Sequence, residues 1–217
     1  MGDKSGISWT DATWNPTIGC TRVSEGCRNC YAFELHDKRH EAWKGTGAFE
    51  GVPQYHKPFR ELQVMGDERL SQPLRWKRSR RIFVNSMSDL FHEDVPEQEL
   101  LKIVGVMGLA SHHRFQVLTK RPERMLEFLS ATWPTPLPNV CWGVSVEDER
   151  TARERIPLLR QAPAARRAVS YEPALGPVDF GRILLWEESP TRIDWLIIGG
   201  ESGAGARPFH YEWARDA

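Results

Sequence analysis

Three of the four cysteines crowd into one short stretch, Thr17 to Ala32, TIGCTRVSEGCRNCYA. Cys20, Cys27 and Cys30 are spaced C-x6-C-x2-C. Thiolates at C-x2-C spacing reach a single centre, as in many zinc and iron–sulfur sites, and the third sulfur closes the loop from the other side. Two kinds of centre satisfy the pattern. Three thiolates hold three iron corners of a [4Fe–4S] cluster and leave the fourth open for a ligand. Three thiolates with one further donor make a closed zinc site, and His36, six residues past Cys30, is a candidate for that donor. The plain alternative is three free thiols, or one disulfide with a thiol left over. Gly26, Asn29, Thr21 and Ser24 give the stretch loop chemistry. Cys141 stands apart in the apolar run NVCWGV and reads as a small core residue.

The chain has 217 residues, enough for one substantial core or two small domains. Its 29 basic and 29 acidic residues cancel, which argues against a strongly basic nucleic-acid binder and leaves only a local patch for that role. Nine tryptophans and 15 prolines point to long ordered loops pinned by aromatic packing rather than to disorder. The N-terminus, MGDKSGISWTD, lacks the apolar core of a secretory signal, and no apolar run approaches the roughly 18 residues of a membrane span. Met1-Gly2 resembles a lipidation start, but Gly6 stands where Ser or Thr is needed. Cysteines without a signal fit a reducing cytoplasm and a metal or redox use of the thiols, with no membrane partner.

The elements that must position these residues are legible as a repeating unit. Residues 7–16 read as a first strand ending before the cysteine loop, 31–44 as a helix, 45–58 as irregular loop, 59–64 as a second strand and 67–70 as a helical turn. The basic run LRWKRSRR (74–81) reads either as a solvated approach to a strand or as a phosphate or nucleic-acid contact. Five apolar strands follow: IFVNS (82–86), RFQVL (114–118), NVCWGV (139–144), RRAVS (166–170) and DWLIIGG (194–200). Helices are expected near 96–111, 122–131, 148–161 and 178–185. Strand starts about 25 to 32 residues apart leave room for one helix each, which implies βαβ crossovers and a parallel sheet. Nearly continuous apolar strands belong to sheets covered on both faces. The count of about seven strands fits a (β/α) barrel or an open doubly wound sheet, within a single domain spanning 1–217.

Each strand is followed by polar residues. Asn85, Ser86, Ser88, Asp89 and His92 follow the first of the five. Thr119, Lys120 and Arg121 come next, then Ser145, Glu147 and Asp148, then Ser170 and Glu172, and finally Glu201 and Ser202. In a (β/α) barrel these ends converge on the face that carries active sites, and the cysteine loop would join them. Asp148 and Ser88 equally suit the duller role of helix N-cap. Glu172, Glu201, Asp89 and His92 could do acid–base work without a metal. Gly199 and Gly200 open a glycine-rich turn that matches neither a nucleophile elbow nor a Walker loop, but whose backbone N–H groups could hold an anion.

The blocks WTDATWNPTIGC, GCRNCYA, PLRW, RRIFVNSMSDLFH, LTKRP, WGVSVED, VSYEPALGPVD and DWLIIGGESGAGARP, in this order, closely resemble the phage Gp37/Gp68 family, also known as DUF5131. That family is described as radical-SAM-like. The resemblance implies a partial TIM-type (β/α) barrel. It implies that Cys20, Cys27 and Cys30 ligate a [4Fe–4S] cluster, with S-adenosylmethionine on the open iron cleaved to a 5′-deoxyadenosyl radical. The polar strand ends would then bind cofactor (Asn85, Ser145, Glu147, Ser170, Gly199, Gly200) and serve catalysis (Asp89, His92, Lys120, Glu172, Glu201). The substrate would be a small molecule, a nucleic acid or a protein. The first cysteine gap is six rather than the usual three of radical-SAM proteins. Family members usually continue past HYEWARDA with a helix and a further strand, so the resemblance implies a shortened barrel, either a natural truncation or one completed by a protein partner. The competing expectation is a structural zinc site on an interaction protein.

Overall fold

The computed structural model describes residues 5–46, 52–185, 191–203 and 205–217. Parts of the expected 45–58 loop, the Met1-Gly2 start and Ala204 of the glycine-rich turn lie outside the described residues. The chain divides into two compact units, Met1–Arg22 with Cys30–Phe115, and Val23–Asn29 with Gln116–Ala217.

In the first unit, β1 (Ala12–Trp14) buries Ala12 and Trp14 completely and runs parallel to β4 (Arg81–Val84), pairing Ala12 with Ile82 and Trp14 with Val84. The short first strand expected within 7–16 thus occupies Ala12–Trp14. Pro16 follows it, and the chain re-pairs as β2 (Thr17–Ile18), antiparallel to β3 (Gln63–Val64). The residues read as a second strand of the main sheet thus belong to this separate two-stranded sheet. Helix α1 (Tyr31–Trp43) follows the cysteine loop. The short helices α2 (Asp67–Leu70) and α3 (Gln72–Arg75) lead into β4. Helix α4 (Glu97–Leu109) begins after Pro96, with Glu97 and Glu99 in the first turn where they complement the free N–H groups. It buries Leu100, Ile103, Val104, Val106 and Met107, an apolar face at helical spacing.

In the second unit, β5 (Arg114–Thr119, shared with the first) is followed by α5 (Pro122–Ala131), β6 (Val140–Val146), α6 (Glu149–Gln161), β7 (Arg166–Tyr171), α7 (Phe180–Leu185), β8 (Trp195–Ile198) and α8 (Tyr211–Arg215). β6 pairs with β7, and β7 with β8, all parallel. β6 and β7 are buried along nearly their whole length, as strands covered on both faces must be. Asp148 caps α6: its Oδ1 accepts from the Thr151 N–H at 2.8 Å, and the Thr151 hydroxyl closes a capping box. Ser88 does not cap a helix; its hydroxyl oxygen accepts from Thr17 at 3.0 Å.

The main sheet has six parallel strands in the order β1-β4-β5-β6-β7-β8. Sequence order never reverses across it. Doubly wound sheets reverse at a switch point, whereas (β/α) barrels do not, so the α/β class is the sequential, barrel-type one.

Candidate functional site

In the first unit, Gly19 and Cys20 are locked by backbone. Cys20 N–H donates to the Phe59 carbonyl at 2.8 Å, and Gly19 N–H to that of Met87 at 3.1 Å. Gly19 has φ +103°, and a Cβ there would lie 2.6 Å from the Glu61 carbonyl oxygen, so only glycine fits. Cys20 and Cys30 both pack on the cluster of Ile18, Ala32 and Phe59. Thr21 is held from below. Asp94 N–H donates to His92 Nδ1 at 3.1 Å, which leaves the proton on Nε2 to reach Thr21 Oγ1 at 2.9 Å. The Thr21 hydroxyl then donates to Glu93 Oε1 at 3.0 Å. His92 is fully buried, and Asp89 accepts from the Phe91 N–H of its own loop at 3.0 Å. His92 braces the loop beside Cys20, and Asp89 braces its own loop.

Asn85 ends β4 in the left-handed region, φ 59°, a conformation asparagine tolerates better than most residues. Its Nδ2 donates to Thr17 Oγ1 at 2.8 Å, while its buried Oδ1 has no hydrogen-bond partner among the described residues. His36 is buried in α1, where Nε2 donates to the Gln54 carbonyl at 2.8 Å and the ring packs on Tyr55 and Phe59. One of its nitrogens is thus already engaged.

In the second unit, Glu147 follows β6 with a side chain 1% exposed. Its Oε1 accepts from Ser24 at 2.8 Å and from Arg155 at 3.1 Å, and Lys120 Nζ lies 3.7 Å away. Its Oε2 is buried with no partner among the described residues. A Cβ on Gly26 would sit 2.5 Å from Glu147 Cγ, so the turn Glu25–Cys27 rests directly on this carboxylate. Glu201, after β8, grips the same segment from its other end. Its Oε2 accepts from Asn29 Nδ2 at 3.0 Å, and Arg207 donates to both of its oxygens, at 2.6 Å to Oε1. Arg207 also donates to the Glu25 carbonyl at 2.7 Å. These hydrogen bonds, those from the Arg207 side chain foremost, hold the Glu201 carboxyl down at about 2.

Glu172 behaves in the opposite way. Protein crowds it although solvent reaches it, and desolvation raises its carboxyl above the ordinary range, against the opposing pull of Lys120 and a Ser170 hydrogen bond. Gly199 backs onto it: a Cβ there would lie 2.8 Å from Glu172 Oε1. Gly200 packs against Phe209. Ser145 is buried, and its carbonyl accepts from Arg155 at 2.6 Å.

The structure therefore brings Lys120, Glu147, Glu172, Ser170 and Gly199 into one strand-end cluster. Glu201 goes to a separate clamp, and Asp89 and His92 serve loop bracing. Sequence reading missed Ser24, Asn29, Arg155 and Arg207. Arg155 alone left a signal, standing on the buried face of α6 with Ala152, Ile156 and Leu159, where a charge requires a partner.

Cys20, Cys27 and Cys30 carry partly exposed sulfurs, so their donor chemistry fits an iron–sulfur cluster. Among the described residues, no three His, Cys, Asp or Glu side chains are grouped so as to hold a metal ion. No described helix is long and apolar enough to cross a membrane.

Fold and site together define a parallel α/β protein of the sequential (β/α) type, with a three-thiol loop and a charged cluster at its strand ends. The chain belongs to the DUF5131 family, described as a protein of unknown function, which it matches over residues 4–217. No curated protein matches it. Among solved structures it is similar to a spore photoproduct lyase double mutant with bound AdoMet and dinucleoside spore photoproduct. That similarity has a TM-score of 0.48 at 15% identity, over 74% of this chain and 45% of that one. The chain thus corresponds to less than half of that protein's length.

Proposed function

We propose that this is a phage- or prophage-type radical-SAM-like iron–sulfur protein of the cytoplasm, with Cys20, Cys27 and Cys30 holding a [4Fe–4S] cluster and S-adenosylmethionine at its open corner. The observation that carries this reading is the treatment of the segment that bears Cys27. Two strand-end carboxylates, Glu147 and Glu201, fasten it at Ser24 and Asn29. A loop secured this firmly by side chains from distant strand ends suits a ligand-bearing segment, whose geometry is set by the groups behind the ligands. When bound, the cluster and S-adenosylmethionine supply hydrogen-atom abstraction initiated by one electron.

The chain's own residues divide the remaining work. Ser145, Ser170 and the Gly199-Gly200 backbone, at strand ends of the second unit, are the binding groups there, and Asn85, after β4, is the binding group of the first unit. Lys120 and Glu172 are the pair suited to handling charge or a proton, because Glu172 is disposed to stay protonated longer than an ordinary carboxylate. Asp89, His92 and Glu201 act by positioning. The substrate is a nucleotide, a nucleic acid or a protein.

The test is purification without oxygen, followed by iron, sulfide and zinc analysis, with a spectrum before and after S-adenosylmethionine. About four irons per chain, lost on Cys27→Ser, and a spectral change with the cofactor are expected. One zinc and no iron would overturn the proposal and leave the cysteines as a structural staple.

A further inference from the structure

We propose that the basic edge at the N-terminal ends of β4 and β5 is a nucleic-acid-binding surface that engages the phosphate backbone. The chain as a whole is neutral, yet Arg75, Lys77, Arg78, Arg80, Arg81 and Arg114 are gathered here in the first unit. Of these, Arg81 is paired with a carboxylate, Asp11, at 2.9 Å. Lys77, Arg78 and Arg114 are exposed and have no ion pair among the described residues.

The segment carrying them is not a loose, solvated run. Arg114 N–H donates to the Arg80 carbonyl at 2.9 Å, the Ser79 hydroxyl to that of His112 at 2.7 Å, and His112 Nε2 to that of Trp76 at 2.8 Å. Buried His113 ties both sides, accepting from Arg80 N–H at 3.2 Å and donating through Nε2 to the Pro73 carbonyl at 3.0 Å. Arg75 is held by Ser71 and the Glu68 carbonyl, at 2.9 and 2.8 Å. The Arg80 guanidinium stacks on Trp76, 4.7 Å from the ring centroid. The ordering that a flexible basic tail would undergo on binding is therefore already complete. The positive field of the edge also registers on His113: burial chiefly, with His112 and Arg80 adding to it, lowers its proton affinity.

The chemistry favours nucleic acid over a lipid surface. Five of the six cations are arginines, whose planar forks match phosphate oxygens, and one is already flattened on an indole. The edge is an irregular segment beside strand ends, not the amphipathic helix with an apolar face that an interfacial membrane site uses. Nothing here depends on the cysteine loop, so this proposal and the iron–sulfur reading stand or fall separately.

The experiment is fluorescence anisotropy of the full chain with a labelled single-stranded DNA 20-mer across a salt series. Lys77→Glu/Arg78→Glu/Arg114→Glu is the test variant, and Lys38→Glu/Arg150→Glu, on α1 and α6, is the control. Three to four phosphate contacts predict a log–log salt slope of about −2 to −3. The triple variant should bind about tenfold weaker or worse, with a flatter slope and an unchanged melting curve, while the control binds as the parent does. Equal binding by parent and triple variant would overturn the proposal. So would capture by phosphatidylserine vesicles without capture of the oligonucleotide, which would make the edge a lipid contact.

Discussion

Asn29 and Glu201 lie 172 residues apart in sequence, yet Asn29 Nδ2 donates to Glu201 Oε2 at 3.0 Å. The contact joins the residue just before Cys30 to the end of the last strand of the sheet. With Arg207 on both oxygens of the same carboxylate, it makes Glu201 the fixed point to which the Cys27 segment is tied.

Glu201→Gln should therefore destabilise the protein by about 2 kcal/mol or more, since Arg207 loses its buried partner. The difference depends on pH with a definite sign. A carboxyl held at about 2, against an ordinary 4.5, contributes stability that is fully present above 4.5 and is lost as pH falls toward 2. Melting curves of parent and variant should be well separated at pH 7 and converge as the solution is acidified through that window.

Gly26→Ala should be costly only while Glu147 is in place. The new Cβ would meet a carboxylate pinned by Arg155 and Ser24, at a cost of about 1–3 kcal/mol. Glu147→Ala alone strands Arg155 and should cost about 3 kcal/mol. The double variant should be less destabilised than the sum of the two, as denaturant midpoints in a double-mutant cycle would report.

Glu172 should respond to Lys120. Lys120→Met removes a charge that favours the carboxylate, so the Glu172 pKa should climb further, as carbon-13 titration of the side-chain carboxyl would show. A raised carboxyl in the folded state means that stability falls as pH rises through its titration. Glu172→Gln should accordingly raise the melting temperature at pH 7, the mark of a group kept for function at some cost to the fold.

The four thiols should separate by reactivity. Burial pushes Cys141 up to about 12, leaving roughly one thiolate in ten thousand at pH 8. In the cluster-free protein, iodoacetamide at that pH should label Cys20, Cys27 and Cys30 within the time that leaves Cys141 unmodified, as peptide mass spectrometry would resolve.

Much of the architecture was readable in advance because periodicity is local. The apolar runs at 82–86, 114–118 and 166–170 became β4, β5 and β7 within two residues, and α5 occupies 122–131 as expected. Asp148, read as a candidate N-cap, caps α6 in the structure. Residues 59–64 misled because a short apolar stretch carries no information about its partner; Gln63–Val64 found Thr17–Ile18 instead of the main sheet.

The element order, the parallel βα repeat and the three-thiol loop are all written in neighbouring residues. Which polar groups meet follows from the packed chain alone: Ser24 with Glu147, Asn29 with Glu201, Thr21 with His92. Those pairings span 71 to 172 residues. They are fixed by strand order and register, which bring distant strand ends together after the apolar residues have been buried. A polar side chain at a strand end has the same local signature whether it braces a loop, as His92 and Glu201 do, or stays open to solvent, as Glu172 does. Its burial and its partners distinguish the two, and both come from the packed sheet.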